Sequence, residues 1–509
     1  MTKKLPIIGI IMLGLSGLLM LFALISNALN SKQDDTAGAQ TTTTSTPAII
    51  EPTDASLGDN KNEDKVFGAQ EFTLSNGLRG IVIPNHRAPV VMHMVWYKAG
   101  AADEPRGTSG IAHFMEHLMF KGSETSDGRA LASGEFSKIV KSLGGRDNAF
   151  TGQDYTAYFQ SAAAEHLETL MQMEAGRMKG FMPPEDEVDS ERLVILEERS
   201  QRTDNTPSGK FDENIMAGLY VNHPYGTPII GWRHEMEKLS RQDALDFHEK
   251  YYAPNNAVLI VSGDVTLAEV QTLAKQTYGT LPARATPPRE RTTLPALDGN
   301  ATYRYHHPNV RQPQWQRVYA VPSIRTDKDA SLALEVLQDI LGGGSTSRLY
   351  KSLVIEQKLA STASLFYRAN GWSGASLYIV ATPLPNVSMD QITAAVDVEI
   401  QTLSDNGITP EELSDSITRM QDSAVYARDS LRGPAVVVGA ALATGASLDH
   451  VEYWPEHIGN VSAHDIQNVA QTYLAPLSDE TRFVTGHLLP EKKPAPAPAL
   501  QENEEDGAP

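Results

Sequence analysis

Twenty-one uncharged residues, Leu5 to Ile25, follow Lys3 and Lys4 at the start of the chain. As a helix they would reach about 30 Å, the thickness of a bilayer core. Residues 1–30 therefore read as a membrane anchor. Basic residues before the run, with Asp34 and Asp35 after it, predict that all that follows is exported. The rival is a cleaved signal peptide, because Ser26-Asn27-Ala28 loosely fits a small-x-small site. Residues 31–65 then turn polar and include "TTTTSTP", and the chain ends in a Pro-Ala and acidic tail over 490–509. Neither stretch carries enough apolar surface to offset the entropy of ordering, so both are predicted to be disordered.

Between them the pattern alternates. "LRGIVIPN", "VVMHMVWYKAG" and "AVLIVSGD" read as strands, rich in β-branched residues and closed by Gly or Asn. The stretches Thr108 to Phe120 and Leu167 to Phe181 read as helices. The same order starts again near Ala301. Pro254 and Pro476 are 222 residues apart, Gly263 and Gly486 are 223, and Ser123 and Ser345 are 222, each within a similar apolar pattern. Matches at one offset predict two copies of one mixed α/β unit, over 66–290 and 291–489.

The balance of 43 basic and 63 acidic residues, a formal charge of -20, argues against a nucleic-acid groove. The absence of cysteine excludes disulfides and thiolate chemistry, so a transition metal would have to be held by histidine and carboxylate.

"HFMEH" provides such groups. His113 and His117 are one helical turn apart and can converge on a single point, with Glu116 beside it. Two imidazoles with an open position suit zinc, and a neighbouring carboxylate can take a proton from bound water. Satisfied core histidines are the bland alternative. A third ligand is expected from "DEVDSERLVILEERSQR", predicted as one helix. Glu191 and Glu198 share a face there while Glu197 points away, which favours Glu198 as ligand and Glu191 as its support.

With "GGRDNAFTGQDYTAYF", "ERLVILEE" and "HPYGTPIIGW" following the inverted motif, the body resembles the inverzincin zinc metallopeptidases, the pitrilysin and insulysin family, and above all the mitochondrial processing peptidase branch with its bacterial relatives. The resemblance implies two homologous α/β halves of the LuxS/processing-peptidase type, the first carrying Zn2+. It implies His113, His117 and Glu198 as metal ligands, Glu116 as general base and Glu191 as the helper carboxylate. It further implies that Asn148, Ala149 and Phe150 form an edge strand to which a peptide substrate adds itself. His223 and Tyr225 match a family element read as a turn near the site. The interval from His117 to Glu198 is longer than is usual in the family, and "SETSDGRALASGEF" is read as an enlarged loop.

The second copy departs from the zinc pattern, with Glu335, Gln338 and Asp339 at the ligand positions. An arginine and a tyrosine that many relatives place in this half to grip substrate are replaced by Val354 and Ser361. Arg348 and Tyr350 lie nearby in the wrong register and read as surface residues. A homologous partner chain supplying the missing pair is therefore expected. The resulting expectation is a zinc endopeptidase cleaving peptides or unfolded segments, single-pass in the inner membrane with its body in the periplasm. Its alternative is a tethered, non-catalytic scaffold of the same family.

Overall fold

The computed structural model describes residues 65–295, 299–475 and 481–491. The expected membrane segment, nearly all of the expected linker and most of the tail lie outside them. Among the described residues no helix is long and apolar enough to cross a membrane.

The first sheet has six strands: β1 (Gln70–Thr73), β2 (Arg79–Pro84), β3 (Val90–Tyr97), β6 (Arg146–Thr151), β7 (Thr156–Ala163) and β8 (Ala257–Gly263), in the order β1-β2-β8-β3-β7-β6. Only the β2–β8 pair is parallel. Every residue of β8 is buried. It lies between two strands and is covered on both faces, which is why it reads as an unbroken apolar run.

The second sheet comprises β9 (Ala301–His307), β10 (Gln314–Val321), β11 (Ala360–Arg368), β12 (Ala375–Pro383) and β13 (Phe483–Pro490), in the order β11-β12-β10-β13-β9. Its one parallel pair is β9–β13. Superposing β2, β8, β3, β7 and β6 on β9, β13, β10, β12 and β11 preserves neighbours and directions alike. The duplication read from three sequence offsets is thus a duplication of topology.

Alternate residues of a strand point to opposite faces, so each sheet needs two covers. In the first, Val82, Val95 and Val261 meet Phe114 and Leu118 of helix Ile111–Leu118 and Met171 of helix Leu167–Lys179. The other face, with Ile81, Met94, Trp96 and Ile260, is covered by Ala435, Val438 and Leu442 of helix Arg432–Ala443, which belongs to the second copy. The reverse holds for the second sheet, where Val318, Val484 and Leu488 are covered by Phe211, Ile215 and Leu219 of helix Pro207–Leu219, from the first. The copies thus exchange equivalent helices. Two glycines permit the close approach: a Cβ at Gly439 would lie 2.1 Å from the Trp96 ring, and one at Gly486 would lie 2.4 Å from Ile215.

Polar groups close the same seam. The Glu452 carboxylate accepts the backbone N–H groups of Phe67, Gly68 and Ala69 at 2.9, 3.2 and 2.6 Å. Tyr220 pairs with Ser376 at 2.7 Å, and His223 with Ser373 at 2.9 Å.

One local expectation is corrected and one is met with a change of pitch. The segment read as an enlarged loop forms a two-stranded ribbon, β4 (Ser123–Glu124) with β5 (Ala130–Leu131), and then starts helix Glu135–Ser142. The helix expected after Pro184 is regular over Glu185–Arg199 and continues as a wider π turn over Ser200–Asp204.

Candidate metal centre

Helix Ile111–Leu118 starts abruptly at Gly110, which sits in the left-handed region at φ 90°. The Glu104 carboxylate accepts the N–H groups of Gly110 and Ala112, both at 2.9 Å, and so satisfies donors that a helix start leaves free. Ile111, Ala112, Phe114, Met115 and Leu118 are anchored in the core. The stripe left over carries His113, Glu116 and His117. It faces helix Glu185–Arg199, whose own anchors Val188 and Ile195 turn Glu191 and Glu198 toward it.

Three donor atoms converge. The Glu198 Oε2 atom lies 3.3 Å from His117 Nε2 and 3.7 Å from His113 Nε2, and ligand atoms of all three residues lie within 4.8 Å of one another. Among the described residues this is the one such group of three or more. His117 Nδ1 donates to Glu191 Oε1 at 2.8 Å, which turns the Nε2 lone pair toward the shared point. Glu191 is in turn held by Lys121 at 2.6 Å, and the second oxygen of Glu198 by Arg202 at 2.7 Å. The Thr151 hydroxyl, at the end of β6, donates to Glu116 Oε2 at 2.6 Å.

Burial, and then the neighbouring His117, pulls the His113 imidazole down to about 3 and keeps it neutral. Burial also acts to lower His117, but its hydrogen bonds to Glu191 and Glu198 prevail and raise it to about 10. Burial opposes ionisation of Glu198, yet the His117 hydrogen bond and the charges around it hold it at about 2. Burial raises Glu116 despite the pull of His117 and Thr151. Two imidazole nitrogens and one carboxylate oxygen around such a point match the donor set preferred by zinc.

β6 is an edge strand, so Asn148, Ala149 and Phe150 stand where one side of the ladder has no partner among the described strands. Phe150 is fixed by an edge-on contact with Trp96, ring centres 5.2 Å apart. The element around His223 and Tyr225 sits at the seam between the copies: the Tyr225 hydroxyl donates to Asp154, whose other partners are Trp372 N at 3.0 Å and Arg291 at 3.1 Å.

At the equivalent place in the second copy the side chains are tied up otherwise. Glu335 accepts from Trp454 at 2.7 Å, Gln338 from the N–H of Tyr367 at 2.9 Å, and Asp339 from Ser416 at 2.7 Å. Arg348, partly exposed on the short helix Arg348–Tyr350, forms a two-pronged pair with Glu412, both contacts 2.7 Å. Val354 packs against the core, while Ser361 lies exposed on β11. Sequence reasoning missed Thr151 and Arg202. The latter could have been found, since it stands four residues after Glu198.

Two homologous halves, one with a His-His-Glu donor set held by two helices beside a sheet edge, define the class to which this chain belongs. It is a member of the insulinase family, peptidase family M16: that family's model matches residues 81–232, and the model of the M16 inactive domain matches residues 238–420. The chain is 34% identical over 351 residues to the zinc protease PqqE of Helicobacter pylori, covering 68% of this chain and 76% of that protein. An uncharacterized zinc protease, YmxG of Bacillus subtilis, is 24% identical over 365 residues, covering 71% of this chain and 85% of that protein. Among solved structures, a protease from Helicobacter pylori superposes with a TM-score of 0.75 at 29% identity, over 83% of this chain and 99% of that one. The first half of the periplasmic protease PqqL of Escherichia coli shares the fold, with a TM-score of 0.69 at 20% identity over 86% of this chain and 93% of that one.

Proposed function

We propose that this chain is a zinc-dependent endopeptidase acting on peptides or locally unfolded protein segments. The observation that carries the reading is the convergence of His113, His117 and Glu198, with Glu116 held alongside. The units 66–290 and 291–489 divide the labour, the first holding the site and the second helping to build the body around it.

His113, His117 and Glu198 would hold the metal, which when bound makes water acidic enough to yield a nucleophile near neutral pH and polarises the scissile carbonyl. Glu116 accepts the proton from the attacking water and passes it to the leaving amine; its raised affinity for a proton, from burial, suits both steps. Glu191 fixes the orientation of His117. A substrate strand adds to β6 along Asn148, Ala149 and Phe150 through main-chain hydrogen bonds, which tolerates sequence but requires an extended chain.

The lack of an arginine and tyrosine at Val354 and Ser361 supports a homologous partner chain that completes the substrate grip. The apolar run at 5–25 supports an inner-membrane anchor, or an export signal, with the body in the periplasm. A non-catalytic scaffold would have no need of an intact donor set with its supporting carboxylate. The deciding experiment is Glu116→Gln in the full chain: zinc content should be retained and peptide cleavage lost. Cleavage that persists in this variant, or native protein without zinc, would reject the reading.

A further inference from the structure

The seam between the copies contains a second feature, unrelated to the metal centre. A cleft of about 610 Å³ lies between the end of the first sheet, the connecting segment at Pro287–Arg291, and Trp372 and Gly445 of the second copy. Five cationic side chains line it: Arg79, Lys98, Lys250, Arg289 and Arg291. In a chain of net charge -20 such a concentration calls for a counter-charge.

Two of the three carboxylates in its wall are already engaged elsewhere, and the third, Glu290, is exposed at the rim. Asp103 accepts the N–H of Gly100 and pairs with Arg291, both at 2.9 Å. Glu104 is turned inward to the start of helix Ile111–Leu118. Arg79 is matched by Glu71 and Arg291 by Asp103 and Asp154. Arg289, its side chain nine-tenths buried, donates to the carbonyls of Ala443 and Asp154, lies 3.5 Å from Asp103 and has an Nε atom without a partner. Lys98 and Lys250 are left over. The Lys98 ammonium has no acceptor or ion-pair partner among the described residues, and that of Lys250 meets only Tyr251, 5.0 Å from the ring centre. The half-buried Lys98 has a lowered proton affinity, first from burial and then from Arg79 and Arg289, as expected of cations crowded without an anion.

We infer that this cleft is a binding site for a small tetrahedral dianion, phosphate or a phosphate ester, held by Lys98 and Lys250 against the guanidinium of Arg289. Two ammonium groups without a carboxylate partner, Lys98 and Lys250, match two negative charges, and the cavity has room for an ester substituent. Because Arg289 also reaches the carbonyl of Asp154, in the turn joining β6 to β7, an occupant would tie both copies to the hairpin that carries the edge strand.

The test is binding of inorganic phosphate, and separately of glycerol 3-phosphate, to the full chain by thermal shift and calorimetry, with sodium chloride matching the ionic strength. Both readouts are independent of peptide cleavage. A saturable rise in melting temperature that chloride does not reproduce is expected. Lys98→Gln combined with Lys250→Gln should weaken binding at least tenfold without lowering the melting temperature in the absence of phosphate, since it relieves the crowding of Lys98 by Arg79 and Arg289; Lys250→Gln alone, on an exposed helix position, gives the same direction should the double variant be unstable. Tighter binding of the ester than of free phosphate would assign the site to esters, and the converse to the free ion. A shift that fails to saturate, that chloride matches, or that survives both substitutions would overturn the proposal.

Discussion

Thr151 donates a 2.6 Å hydrogen bond to Glu116, so the last residue of the edge strand restrains the carboxylate beside the paired imidazoles. The strand proposed to receive substrate and the group proposed to accept the proton are therefore one mechanical unit. Thr151→Val should lower kcat/KM by about tenfold, the worth of one hydrogen bond to a charged group. That bond favours the ionised carboxylate, and its loss raises the proton affinity of Glu116 further. The acidic limb of the pH–rate profile should therefore move to higher pH, with zinc content unchanged. An unshifted profile would separate Thr151 from the proton-transfer step.

Glu191 touches the proposed metal only through His117. Its 2.8 Å hydrogen bond fixes the imidazole with Nε2 toward Glu198, and Lys121 fixes Glu191 from the other side. Glu191→Gln keeps a hydrogen-bonding group but removes the charge that makes the imidazole a stronger donor. Zinc affinity, read by competition with a chelating dye, should fall by about 10- to 100-fold. Unaltered affinity would show that His117 is oriented by packing alone.

The readability of this site from the sequence followed the range of each contact. His113, Glu116 and His117 lie within one turn, and Glu191 and Glu198 within two, so helical spacing alone aligned them. Thr151 is 35 residues from Glu116, and only the pairing of β6 with β7 brings it there. The apolar run "VVVGAALA" of helix Arg432–Ala443 is recognisable as buried, but its destination on the sheet of the other copy is a tertiary fact with no local signal. The two halves could be counted in the sequence, whereas their exchange of helices could not.

Glu335 occupies the position in the second copy that His113 holds in the first. Burial raises its carboxyl to about 7 against the pull of the Trp454 N–H. The folded state thus keeps a proton that the unfolded chain releases above its ordinary value of 4.5. Stability attributable to this group is full below pH 4.5 and declines until about pH 7. The upper limit of the effect is about 3 kcal/mol, and partial solvent contact reduces it to about 1–2 kcal/mol. Glu335→Gln keeps an acceptor for Trp454 without the charge. Urea unfolding should show the variant more stable than the parent at pH 8 and nearly equal to it at pH 4.5. An equal difference at both values would show that Glu335 titrates normally.

Gly439 tests the helix exchange. It lies on helix Arg432–Ala443 where the backbone passes directly over Trp96, and an added Cβ would sit 2.1 Å from that ring. Alanine is the better helix former, so on an exposed surface Gly439→Ala would stabilise by about 1 kcal/mol. Here the indole is fully buried and also packed by Phe150 and Tyr155, so it has nowhere to retreat. The helix must lift instead, at a net cost of about 1–3 kcal/mol. Because this helix covers the first sheet while belonging to the second copy, the loss should appear in one cooperative transition, with tryptophan fluorescence and circular dichroism shifting together. Two separated transitions, with only the second displaced, would show that the copies fold independently and that the exchanged helix contributes little to joining them.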